Sequence, residues 1–279
     1  MCEIEVSLRD ANYEKCSYSS QIRAHAMLRR YLPNFLNREL FGDRNRFGLK
    51  PTAGDADWNF WISNYSKIYF STQREKSFAA RINDAGYAVL DEVDVEGVQV
   101  CELGPGGCFH FDYLKGRPSL YTALDVRTEF LEVARNTCQT YGIPFWGRKT
   151  KFSTKRLPLL TESQDVFLSF YSLEHLHELD KIISEIFRVL RPGGVLIGAI
   201  PAEGGLAWGI GRWFTSRRTV RERYGLDLHK IICWEHPNYA DRIMKCLSEY
   251  GESRYEKWPF PHFPLDVNLI VKFVVRKRK

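Results

Sequence analysis

The chain has 279 residues, 44% of them hydrophobic and 27% charged, with a formal net charge of +6. This is the composition of a globular domain that buries its own core, and it excludes a disordered or collagen-like chain. The modest positive charge fits an anionic ligand and falls short of a nucleic-acid-binding signature.

At the N-terminus, Glu3, Glu5 and Arg9 interrupt the apolar run that a secretion signal needs. No apolar run approaches the eighteen or so residues needed to cross a bilayer. Seven cysteines, an odd number with no C-x-x-C pair, read as reduced thiols and not as a disulfide framework. The expected location is the cytoplasm. Residues 1–95 read as a helical N-terminal cap. Leu28, Leu32, Phe35 and Leu36 share one face of a helical stretch over 21–40, which Pro33 divides because it has no N–H to donate. A glycine-containing loop at 42–57 leads to a dense aromatic segment (Trp58, Phe60, Trp61, Tyr65, Tyr69, Phe70), and a polar helix is expected over 71–90.

Beyond residue 95 the pattern alternates. Strands are expected at about 98–103, 119–124, 144–148, 165–170 and 194–200, with helices at about 109–115, 127–141 and 178–190 between them. In the last helix, Leu179, Ile182, Ile183, Ile186, Phe187 and Leu190 recur at helical spacing, and Arg191-Pro192-Gly193-Gly194 reads as its terminal turn. Residues 201–239 break the alternation and read as a lid insertion. Asn238 is the expected N-cap of a helix over 238–250. Two strands, at about 253–257 and 267–275, close the chain before a short basic tail that reads as solvated.

The chemistry-bearing motif opens the alternating region. An apolar strand ends in Glu102 and runs into Gly104-Pro105-Gly106-Gly107; Asp125 ends the next strand. Glycines at 104 and 106 permit positive φ and close approach of the backbone to a ligand. Carboxylates at the carboxyl ends of adjacent parallel strands face the crevice of a nucleotide-binding βαβ unit, where the aspartate takes ribose hydroxyls. The third glycine of a G-x-G-x-x-G fingerprint is replaced by Phe109, and no Walker lysine is present. Glu102 would repel a pyrophosphate, so a nucleoside cofactor bearing a cationic sulfonium and no phosphate suits this turn.

In these features the chain resembles the class I S-adenosylmethionine (SAM)-dependent methyltransferases of the small-molecule branch. Glu102-Leu103-Gly104-Pro105-Gly106 looks like motif I of that family. Ala123-Leu124-Asp125-Val126 with Phe130 and Leu131 resembles motif II. Asp165–Phe170 followed by Ser172-Leu173-Glu174-His175 is similar to the motif IV strand and its loop, and Phe187–Gly194 to the helix-to-strand turn before strand 5. The resemblance covers about residues 95–200. It implies an α/β fold, a Rossmann-like seven-stranded mixed sheet with the last strand antiparallel, under a helical cap (1–95) and a lid (201–239). It implies SAM as cofactor and S-adenosylhomocysteine (SAH) as product. The implied cofactor residues are Glu102, Gly104, Pro105, Gly106, Gly107, Asp125, Val126, Phe130, Tyr171 and Ser172. Two departures stand out. Cys108 replaces a third loop glycine, and 152–158 lacks the acidic residue that contacts adenine in many relatives; Ser153, Thr154 or a backbone carbonyl could serve instead. His175 is the candidate catalytic residue, as a general base or as support for the cofactor loop.

On the acceptor side, Arg212 and Arg217 with Trp213, Trp61 and Tyr65 are the candidate substrate residues, pairing cations with an anionic group and aromatics with an apolar or sugar moiety. Glu235 with His229 and His236 matches no established ligand spacing, so no metal is expected. The expected activity is methyl transfer to oxygen of a small or glycan-linked metabolite, with no nucleic-acid partner. RNA or protein methylation, or a non-catalytic SAM-fold module, are the alternatives.

Overall fold

The computed structural model describes residues 27–73, 78–214 and 216–278, the side chains of 71–73, 78–80 and 216–219 excepted. The first part of the helix expected over 21–40, with Cys2 and Cys16, lies outside the described residues. So do part of the helix expected over 71–90 and the side chain of Arg217.

Alternation of apolar side chains builds the sheet. Its strands are β1 (Gln99–Leu103), β2 (Leu120–Asp125), β3 (Phe145–Lys149), β4 (Gln164–Phe170), β5 (Leu190–Pro201), β6 (Gly251–Trp258) and β7 (Ile270–Lys277), in the order β3-β2-β1-β4-β5-β7-β6. The first five pair in parallel, and β7 runs antiparallel to both β5 and β6. Successive residues feed opposite cores. Cys101, Phe167 and Leu196 join one cluster; Val100, Val166, Leu168 and Ile197 join the other. Both faces of the sheet are therefore covered, as parallel sheets require.

The helices follow the same logic. Asn34–Phe41 (α1) begins directly after Pro33, and a four-residue helix, Arg44–Phe47 (α2), sits inside the expected loop. Ala56–Gln73 (α3) carries the aromatic segment, and Phe78–Tyr87 (α4) packs near β5 and β7. Thr128–Thr140 (α5) follows β2, and Leu179–Val189 (α6) buries Leu179, Ile182, Ile183, Ile186 and Phe187 against the sheet. The insertion folds into three helices, Leu206–Phe214 (α7), Ser216–Tyr224 (α8) and Leu228–Glu235 (α9); Ala240–Ser248 (α10) precedes β6. Trp61 and Ile68 of α3 share a core with Val220, Leu226, Leu228 and Ile231 of the insertion.

Three local expectations are corrected. The helix expected at 109–115 is a single 3-10 turn, Phe109–Tyr113. Arg191–Gly194 is a bulge inside β5 and not a helix-terminal turn. Leu190 already pairs with Gln164, and pairing resumes with Val195 opposite Val166, so four residues stand against Asp165. Asn238 does not cap α10, whose N-cap is Tyr239. Its side-chain amide is buried and donates to the carbonyls of Leu173 and Leu176, tying the loop after β4 to the insertion. No helix among the described residues is long and apolar enough to cross a membrane.

Candidate active site

The carboxyl ends of β1, β2 and β4 open into a cavity of about 330 Å³, roofed by α3, α4 and the insertion. Its floor is the glycine turn. Gly104 (φ +73°) and Gly106 (φ +51°) adopt left-handed backbone that a side chain would strain. A Cβ on Gly104 would stand 2.9 Å from Cβ of Ser172. Ser172 locks that corner: its Oγ donates to the Leu103 carbonyl at 2.8 Å and lies 2.6 Å from Oγ of Ser169. Tyr171, also at positive φ, donates its hydroxyl to the Asn83 carbonyl at 3.0 Å, fastening the β4 loop to α4.

Asp125 ends β2 on the cavity wall, beside Val126 and Phe130. One of its oxygens accepts the backbone N–H of Arg127 at 2.7 Å. Burial disfavours its charge and outweighs that bond and the nearby Arg127 guanidinium, lifting its pKa from 3.8 to about 7. Gly104, Pro105, Gly106, Tyr171 and Ser172 line the same cavity; Thr154 does too, its hydroxyl accepting from the Lys151 N–H. Ser153 and Gly107 are absent from the wall. The N–H of Gly107 instead donates to the Tyr69 hydroxyl at 3.3 Å.

Glu102 needs a correction. It does not reach the cavity. Strand alternation turns it toward the face covered by the Phe109–Tyr113 turn, where it is fully buried. There the Tyr121 hydroxyl donates to Oε2, and His110 Nε2 stands 3.3 Å from the same oxygen. His110 lies between Glu102 and the cavity, and Oε1 of Glu102 has no hydrogen-bond partner.

The same cavity is also lined by aromatic side chains (Trp58, Tyr65, Trp208, Trp234) and by a charged cluster. His175 Nδ1 faces the Glu235 carbonyl at 2.8 Å and Glu235 Oε1 at 3.3 Å; its Nε2 is 3.8 Å from Glu174 Oε1. Burial alone would lower the pKa of this imidazole. The hydrogen bond to Glu235 and the charge of Glu174 outweigh it and raise the pKa to about 9. That shift favours the protonated, donating form of His175 over the accepting form that a general base needs. The His236 ring lies 4.6 Å from that of His175, and its Nδ1 is 3.0 Å from Glu203 Oε2. Glu203 is fully buried, yet Arg212, at 2.6 and 2.8 Å, together with His236 holds it well below the usual carboxylate range against the cost of burial.

The predicted acceptor residues divide. Tyr65 lines the cavity. Trp61 does not; its indole N–H donates to Glu235. Arg212 is spent on Glu203, and Trp213 borders a separate shallow hollow beside Glu39 and Gly42. Glu174, Glu235 and His236 were the residues sequence reasoning left without a role. Glu235-His236 was visible as an adjacent pair, but its companion His175 comes from the loop after β4, sixty positions earlier in the chain.

The sheet order and strand directions are those of the Rossmann-like methyltransferase fold. Residues 101–198 match the family model described as a methyltransferase domain. The chain is 31% identical over 113 residues to a fatty-acid O-methyltransferase of Mycolicibacterium smegmatis, an alignment covering 40% of each protein. It is 29% identical over 111 residues to a malonyl-[acyl-carrier protein] O-methyltransferase of Pectobacterium atrosepticum, covering 40% of this chain and 42% of that one. Among solved structures, the CurJ carbon methyltransferase superposes with a TM-score of 0.53 at 15% identity, covering 95% of this chain and 72% of that one, and shares the fold. The sequence similarity to methyltransferases is thus confined to part of the chain, which spans about two fifths of the length of these curated relatives.

Proposed function

We propose that the chain binds SAM against the 104–106 turn and Asp125, and methylates an oxygen of an acidic, largely apolar small molecule or lipid. The observation that carries this is the two-sided cavity. One side offers a glycine turn and a buried carboxylate suited to a nucleoside; the other offers aromatic walls around a protonated imidazole. The donor set fits the cofactor. Asp125 faces the cavity with acceptor capacity for ribose hydroxyls, and a side chain at Gly104 would fill the cradle. When bound, SAM supplies a methyl group on a sulfonium, and transfer to a carboxylate oxygen leaves a methyl ester and neutral SAH.

The chain's own residues then have little proton chemistry to perform. A carboxylate acceptor is already ionised, so the protein needs to align it, hold it and exclude water. His175 sits where it could donate to such an oxygen, and Trp58, Tyr65, Trp208 and Trp234 supply surface for an apolar tail. Two relatives, named as O-methyltransferases of a fatty acid and of malonyl-[acyl-carrier protein], favour an acid acceptor over a sugar hydroxyl. Arg212 of the insertion is committed to an internal ion pair and is not available to an anionic polymer.

The test is to incubate the purified protein with SAM and a panel of fatty acids, short dicarboxylic acids, sugars and RNA, and to follow SAH release and product mass. Methyl esters of the acids are expected. Turnover confined to sugars or RNA would overturn the acceptor reading, and failure to bind SAH in calorimetry would overturn the cofactor reading.

A further inference from the structure

We propose that His175, Glu235 and His236 form a binding site for one divalent transition-metal cation on the acceptor side of the cavity. One potential ligand atom from each of the three lies within 4.8 Å of the others. All three residues are on the cavity wall, so a cation there keeps positions open for an external oxygen. Two histidines and a carboxylate are the donor set that suits first-row divalent cations such as Fe(II), Mn(II) or Zn(II). Ligands to a cation at about 2.1 Å stand roughly 3–3.5 Å apart, so the side chains close in by rotation about their outer torsions.

The surroundings orient the imidazoles for ligation. Nδ1 of His236 stands 3.0 Å from Oε2 of Glu203, a carboxylate oxygen that accepts, so Nδ1 donates and Nε2 is left to ligate. Nδ1 of His175 donates to the Glu235 carbonyl, and a cation on Nε2 takes the place of the proton that the imidazole otherwise carries there. Trp61 fixes one oxygen of Glu235. These are the partners that outer-shell groups provide at metal centres, where they set tautomer and ring orientation.

A second observation points to a missing cation. Glu174 borders the cluster and the cavity; it is 2% exposed, and its Oε2 is buried without a hydrogen-bond partner. Among the described residues neither Glu174 nor Glu235 pairs with a lysine or arginine. The guanidinium of the neighbouring Arg212 serves Glu203. The His175 imidazole faces both carboxylates, yet Glu174 Oε2 stays unsatisfied, an acceptor that a bound cation would meet. Should methyl transfer to an acid also hold, the same cation would grip the acceptor oxygen, but its binding does not rest on that reading.

The experiment needs neither SAM nor acceptor. Chelator-treated, dialysed full-length chain is titrated with Zn²⁺ by calorimetry and with Co²⁺ by visible absorption. One saturable Zn²⁺ per chain and ligand-field bands of bound Co²⁺ are expected. Glu235→Gln and His236→Gln should each weaken Zn²⁺ binding at least tenfold, while His229→Ala, outside the cluster, should leave it unchanged. His236→Gln retains an N–H for Glu203, and circular dichroism verifies its fold, so it decides the matter should Glu235→Gln not fold. No saturable binding by the wild-type chain would overturn the proposal. Wild-type affinity in a folded His236→Gln variant would do so equally, by showing the ion to be adventitious.

Discussion

The indole N–H of Trp61 donates to Oε2 of Glu235 at 2.6 Å, linking α3 to the end of α9 behind the cavity wall. Burial would push the Glu235 pKa up. The hydrogen bond and charge of His175, with this indole, outweigh it and hold the carboxyl below its ordinary range. Trp61 therefore acts on the acceptor side through Glu235 and not by touching a ligand, whereas Trp58 and Tyr65 of the same segment line the cavity. Trp61→Phe keeps the ring in its core but removes the donor. A hydrogen bond to a charged group is worth about 1.5–3 kcal/mol, so kcat/KM for the acceptor should fall roughly ten- to a hundredfold. SAH affinity, measured by calorimetry, should stay within about twofold. A parallel loss of SAH binding would mean the substitution disturbs the whole cavity.

Asp125 predicts two opposite pH dependences from one group. Its folded pKa of about 7 lies above the ordinary 3.8, with burial as the main cause. The folded protein thus holds a proton that the unfolded chain releases, and the contribution of Asp125 to stability is lost as pH rises from about 4 to about 7. Ribose hydroxyls favour the ionised form, so SAH affinity should rise over the same interval, by up to about tenfold per pH unit below 7, and level off above it. Asp125→Asn should flatten both trends: in thermal melts of the free protein, and in calorimetric titrations with SAH at pH 5.5, 6.5 and 7.5. A wild-type affinity independent of pH would separate Asp125 from the ribose.

Gly104→Ala tests the turn itself. The residue has φ +73°, and an added Cβ would stand 2.9 Å from the Ser172 Cβ, whose hydroxyl holds the Leu103 carbonyl. Strained backbone of this kind costs on the order of 1–3 kcal/mol. The variant should melt several degrees lower and lose at least tenfold in SAH affinity. Gly48→Ala offers a control, having a similar positive φ with open space around it; it should lose stability without losing SAH binding.

The glycine-turn half of this cavity was legible because it depends on local sequence: an apolar strand, glycines where φ must be positive, and an aspartate one strand away. Even there, strand alternation decided what spacing could not, turning Glu102 behind His110 while Asp125 reached the cavity. The bulge in β5 escaped detection because proline and glycine signal a turn without saying whether pairing resumes on the same partner. The acceptor half was mostly illegible. His175 comes from the loop after β4, Glu235 and His236 from the end of α9, and Asn238 ties the two segments together from a position that reads on sequence as a helix cap. An arginine-rich insertion likewise says nothing about which cations are spent internally.

Arg212 shows the consequence of that last point. Read from sequence it is a ligand for an anionic acceptor; in the structure both its hydrogen bonds to a carboxylate go to the fully buried Glu203, and another goes to the Leu40 carbonyl. Removing one partner of a buried pair leaves the other charge uncompensated, at a cost of about 3–5 kcal/mol. Arg212→Met should therefore lower stability by that order in denaturant unfolding. Adding Glu203→Gln should recover a large part of the loss, because the double variant no longer buries an unpaired carboxylate. The His236 orientation would loosen in both, so the double variant should regain stability without regaining full Zn²⁺ affinity. A variant as stable as wild type but with a raised acceptor KM would return Arg212 to the substrate role that its sequence context suggests.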